Sequence, residues 1–212
     1  MRKEMLGPLT GILFLVIVIV GFIVAGEPPS ADDGADEVTQ FYLDNKDSVE
    51  FGAILFALGG AVLIFFTNYL RQLFGAAGDR TLSATILVGG ALFAVGAAID
   101  STISIAAAEA ADDIEPAQVQ TLQALWDNDF VPIALGVFVF VVSLGVSILN
   151  TDVLPRWLGW VAILVAVVGV TPIGFVAFPA AGLLILIVSG ILLARANRGA
   201  EPPAAAPPPT TA

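Results

Sequence analysis

The chain contains no cysteine and no histidine among its 212 residues. That removes disulfides, thiolate and imidazole metal ligands, histidine-ligated haem, and any Cys or Ser-His nucleophile. Segments outside a membrane must therefore be held by packing. Charge is scarce as well: 13% of residues are charged, against roughly a quarter in soluble domains. Apolar residues make up 58% of the chain, and its mean hydropathy is +0.93. They come in blocks, with neither helical nor alternating spacing. Such blocks leave no polar exterior for water, so lipid is the exterior. The formal net charge of −11 argues against nucleic acid, whose phosphates it would repel.

A bilayer core of ~30 Å takes about 20 apolar residues at 1.5 Å each. On that measure the sequence predicts an all-α integral membrane bundle with six transmembrane helices, at about 6–25, 51–70, 82–99, 130–149, 157–172 and 179–194. The bundle fills residues 1–198, and a Pro/Ala-rich tail, 199–212, reads as disordered. The first block follows Arg2 and Lys3, as a secretory signal would. Its apolar run is longer than a signal core and Val24-Ala25-Gly26 is a poor cleavage site, so a retained helix is expected. Apolar sequence runs from Trp157 to Ala194, too long for one helix, with Pro172, Gly174 and Pro179 near its middle. Thr171–Pro179 is read as a tight turn between two short spans, with a re-entrant hairpin as the alternative.

Two polar segments separate the spans. In Gly26–Val49, the spacing of Val38, Phe41 and Tyr42 suits a short helix lying on the membrane surface, and an acidic loop is the alternative. In Asp100–Asp129, Glu115-Pro116 reads as a helix start, with Val119, Leu122 and Trp126 on one face. Glycines recur inside the spans, among them Gly59, Gly60, Gly89, Gly90, Gly96 and Gly136, and small residues let membrane helices approach closely.

Charge sets the sidedness. With six spans, Arg2, Lys3, Arg71, Arg80, Arg156, Arg195 and Arg198 fall on one side and Lys46 alone on the other. Short basic loops face the cytoplasm, so both termini are expected there. All the acidic residues except Glu4, Asp79, Asp152 and Glu201 fall outside. The run Asp32-Asp33-Gly34-Ala35-Asp36-Glu37 lacks the spacing of a calcium loop and reads as solvated charge.

An ionisable residue within a bilayer is costly unless paired, which makes it a candidate for function. Asp100 ends the apolar run Leu82–Ile99, which spans roughly 27 Å, so it stands near the outer edge of the hydrocarbon. Glu50 and Asp129 begin the second and fourth spans on the same side. The three carboxylates could hold a cation or proton site between helices, or they could be solvated helix ends. Arg156, Trp157 and Trp160 suit the inner interface and Trp126 the outer one, as membrane anchors.

The string Leu154-Pro155-Arg156-Trp157-Leu158-Gly159-Trp160, together with Asp127-Asn128-Asp129-Phe130, resembles a widespread group of bacterial membrane proteins known only as domains of unknown function. The similarity covers about Asp36 to Arg198. It implies a helical bundle in the bacterial plasma membrane and transfers no catalytic residues.

No catalytic constellation emerges, so no enzymatic activity and no cofactor are expected. The leading reading is a structural, accessory or partner-binding membrane component, whose partner is another protein or a second copy of the chain. The alternative is a small-solute or ion transporter or channel using Asp100. Because the chain has no native cysteine, its topology can be tested directly. Single cysteines at Ser30 or Ala110 should react with an impermeant thiol reagent on intact cells. One at Asn150 should react only after permeabilisation, and reversed labelling would sink the topology.

Overall fold

The computed structural model describes residues 3–169, 171 and 176–198, and all regular structure among them is helical. The helices are α1 (Lys3–Ala25), α2 (Ala35–Ala76), α3 (Arg80–Ala110), α4 (Pro116–Asn128), α5 (Phe130–Asn150), α6 (Arg156–Gly169) and α7 (Ala177–Arg198), with one 3-10 turn at Ala31–Asp33. Five helical stretches are long and apolar enough to cross a membrane: α1, α2, α3, the α4–α5 stretch and α7. The chain is thus an all-helical, multi-pass membrane protein. With 14 residues, α6 reaches only roughly 21 Å, less than the ~30 Å hydrocarbon core. Pro172, Gly174 and the tail from Gly199 lie outside the described residues. Pro179 falls inside the first turn of α7, where a proline is tolerated, so this helix begins earlier than the expected end of the turn.

α2 and α3 outgrow the bilayer. Their 42 and 31 residues exceed the roughly 20 that a bilayer core takes, so each continues past its apolar span. The segment around Val38, Phe41 and Tyr42 is a short helix and not a loop, set off from the span of α2 by a kink at Asn45. Only Asn45 leaves helical geometry there (φ −121°, ψ 15°), and its Nδ2 donates to Phe41 O at 2.9 Å. The physical reason lies in what covers the apolar stripe. Val38, Tyr42 and Val49 pack against Ala107, Ala108 and Ala111 of α3 and Val119 of α4, forming a second small core beyond the membrane spans. Burial against protein on two sides replaces burial in headgroups. α3 likewise continues past Asp100 to Ala110, because its alanines are needed for that core.

A chain of polar contacts locks this cap. Tyr42 Oη donates to Gln123 Oε1 at 2.6 Å, and Gln123 Nε2 donates to Asp127 Oδ1 at 2.8 Å. The other Asp127 oxygen accepts from Ala31 N at 2.9 Å, while Gln120 Nε2 donates to Ala31 O at 2.6 Å. Gln123 is fully buried, and leaving such an amide unpaired would cost about 1–3 kcal/mol.

Within the membrane the helices close a ring, each packing on the next in the order α1, α2, α3, α5, α6, α7 and back to α1. Glycines set the spacing between α3 and α5. A Cβ on Gly89 would strike the Phe140 backbone, one on Gly136 the Phe93 backbone, and one on Gly96 would lie 2.7 Å from Ile133 N. The basic ends of the helices coincide: Gly7 abuts Tyr69, and Arg195 Nη1 donates to Val153 O. At the opposite end, Lys46 faces Asp112 at 3.9 Å.

Gly89→Leu should drive α3 and α5 apart and abolish the monodisperse protein peak in detergent. At Gly190 nothing lies within 4 Å of an added Cβ. There Gly190→Ala should leave the peak intact and stabilise the helix by up to about 1 kcal/mol, read as a rise in melting temperature.

Candidate functional site at the acidic end of the ring

Asp100 reaches the end of the α3 span still facing into the bundle, because α3 is held on both sides. Gly60 of α2 approaches Ala94 of α3, with only 3.0 Å between an added Cβ and the Ala94 Cα. The buried Ser101 Oγ lies 2.7 Å from Ala53 O of α2 and 2.7 Å from Ala97 O of its own helix. Ser101 is therefore a strut that sets the rotation of α3 and with it the direction of Asp100.

Asp100 borders three cavities at once. The first is a vestibule of about 550 Å³, lined by Ser30, Asp32, Trp126, Asp127, Asn128 and Asp129 among others. The second, of about 570 Å³, lies between the end of α1 and α2, with Phe22, Tyr42, Phe56, Ser104 and Trp126 in its wall. The third, about 670 Å³, is a chamber bounded by α1, α2, α3, α5 and α7. Asp100 is the one polar side chain among the residues lining the chamber. Its aromatic wall is continuous: Phe14 meets Phe93 edge-on at 5.5 Å, Phe56 meets Phe93 at 6.1 Å, and Phe22 meets Phe56 at 5.1 Å.

Two of the three expected carboxylates come together. Asp129 shares the vestibule with Asp100 and is close enough to repel it when both are ionised. One of its oxygens is buried without a hydrogen-bond partner, and its side chain does not cap α5. Glu50, on α2, lines none of the three cavities. Among the described residues no three acidic side chains converge as a metal site would require. Asp127 has both oxygens engaged in the cap. In the acidic run, Ser30 and Asp33 cap one another: Ser30 N donates to Asp33 Oδ2 at 2.8 Å, and Asp32 N to Ser30 Oγ at 3.3 Å.

Trp126 has a role beyond that of an interfacial anchor. It lines both the vestibule and the second cavity, and its buried Nε1 faces the Asp100 carboxylate closely enough to favour its charged form. An N–H donor and two carboxylates thus border one space. Trp157 and Trp160 do point outward, at 54% and 65% exposure, from the first turn of α6 next to Arg156, while Leu158 between them is buried.

The aromatic wall and the role of Trp126 were not foreseen from sequence. Inside a span, a residue facing the ring centre and one facing lipid are equally apolar. The available clue was Trp126 lying a few residues from paired aspartates.

No curated protein and no solved structure matches the chain. The profile of a domain of unknown function, DUF4386, matches residues 9–200. The match takes in α1, the cap and all three cavities, beyond the region carrying the two distinctive strings. The chain belongs to the DUF4386 family.

Proposed function

We propose that this is a six-span plasma-membrane protein, with both termini in the cytoplasm, that binds a small solute or cation from the outer face through Asp100. The observation that carries the proposal is the position of Asp100 on the shared border of a polar vestibule and an apolar chamber. Burying a carboxylate next to a second carboxylate is costly, and a bound cation would relieve both. The opposite half of the ring is filled. Phe66, Leu70, Phe74, Ile86, Leu144 and Ile148 are fully buried there, and Gly11 of α1 is pressed against Ser189 of α7 and Phe66 of α2. This arrangement supports a pocket open to the acidic side, with no continuous pore. Passage to the other side would require the packed half to open.

The basic residues Arg71, Arg80, Arg156, Arg195 and Arg198 at one end of the bundle support a cytoplasmic assignment of that end. The described part of α6 has 14 residues, and a full sixth span takes about 20. A second reading, an accessory role, rests on the cap. The Tyr42–Gln123–Asp127 chain holds α2, α3 and α4 as a rigid acidic platform on which a partner protein could dock.

Asp100→Asn keeps the side-chain shape and removes the charge. It should weaken binding of a small probe cation such as ethylammonium by roughly tenfold or more, the worth of one charge-assisted hydrogen bond. Melting temperature should hold or rise, because a costly buried charge is removed, and Asp152→Asn at the opposite end should have no effect. Equal affinity in the Asp100→Asn and native proteins, measured by calorimetry in lipid nanodiscs, would remove Asp100 from recognition.

A further inference from the structure

Resting on the reading of Asp100 as the recognising carboxylate, we infer that the ligand is an amphipathic cation, whose ammonium head sits at Asp100 and Asp129 and whose apolar tail occupies the chamber. Three observations select this chemistry. The chamber volume of about 670 Å³ falls in the range of small-molecule sites, roughly 300–1,000 Å³. A hydrophilic cation would leave that space to water against Phe14, Phe93, Val137 and Phe140, with Asp100 alone offering water a polar partner there. An apolar tail fills it without loss.

The sign of the head follows from its surroundings. Asp32, Asp100, Asp127 and Asp129 border the vestibule and no basic residue does. Lys46, on the same end of the bundle, is taken up by Asp112 and by Glu109 O. An anionic head would meet uncompensated repulsion.

The route is lateral. An apolar cleft of about 480 Å³ lies between α5, α6 and α7. Phe130, Val137 and Phe178 border both this cleft and the chamber. α6 stands between α5 and α7 in the ring, so a tail dissolved in the outer leaflet reaches the chamber through the cleft that α6 helps to line, while its head stays at the level of Asp129, just before α5.

The test is photolabelling of the full chain in phosphatidylglycerol nanodiscs, with dodecylammonium carrying a diazirine at its chain end. Label should map to chamber residues such as Val137 and Phe14 above lipid-facing Leu164 and Val167, which are 62% and 55% exposed. Excess dodecylammonium should compete, and dodecyl sulfate should not. Gly182→Phe fills the chamber at a position where an added Cβ meets only Leu15 Cδ2, at 3.4 Å, and should remove the chamber label. Asp100→Asn should cut it by roughly tenfold. Competition by added phosphatidylethanolamine would identify the cation as a lipid head group, and its absence a free amphiphile. The inference is overturned if label spreads evenly over the lipid-facing positions and neither variant changes it. If ethylammonium binding then still depends on Asp100, the carboxylate site stands and only the tail assignment fails. If that dependence is missing too, both fail.

Discussion

Along α3, helix meets helix with almost no side chain between them. On one flank Gly60 and Thr67 of α2 press against Ala94 and Gly90, and on the other Gly136 and Phe140 of α5 press against Phe93 and Gly89. In lipid there is no hydrophobic force between helices, so close van der Waals contact over small residues is what holds them. α3 cannot rotate or slide without driving backbone into backbone. Everything at the acidic end inherits this constraint. The Ser101 strut extends it by one more turn, and the side chain immediately before it is Asp100. The carboxylate borders three cavities because the glycines below it leave α3 one orientation.

The ring is tight at its basic end and loose at its acidic end, and the same composition produces both. Near Arg71 and Arg80 the ring closes on fully buried phenylalanine, leucine and isoleucine. Near Asp100 the aromatic side chains of α1, α2 and α3 stack edge-on against one another. They line a wall and leave the centre open. Above it the cap is a separate packing unit, with its own alanine-rich core and its own hydrogen-bond chain. Two cores bracketing a cavity give a rigid floor and a rigid lid. A ligand site built this way needs no loop to form it.

Much of this was legible in the sequence, for identifiable reasons. Apolar blocks gave the spans, since lipid demands continuous apolar helices with their backbones satisfied. Asp100 stood out because one charge after an apolar run is conspicuous, and Glu115-Pro116 marked α4 because proline suits a first turn. The spacing of Val38, Phe41 and Tyr42 marked a short helix, which the structure has, but not what that helix packs against. Their spacing fits a stripe on any apolar partner, and periodicity does not say whether that partner is headgroups or Ala107 and Val119. Asp100, Asp129 and Glu50 were grouped because all three mark the outer ends of spans, and the structure brings Asp129 but not Glu50 to the vestibule that Asp100 borders. Sharing a height in the membrane does not mean sharing a face. The chamber was invisible, because a phenylalanine turned to the ring centre reads the same as one turned to lipid.

The account depends on Asp100 opening to the acidic side alone. The chain has no native cysteine, so a cysteine at position 100 reports its surroundings without background. In oriented proteoliposomes, Asp100→Cys should react with an impermeant thiol reagent from the acidic side only, and a Phe66→Cys partner protein should react from neither side. Reaction of Asp100→Cys from both sides would mean a continuous pore, and reaction from neither would mean a carboxylate sealed in packing; either result would contradict the account.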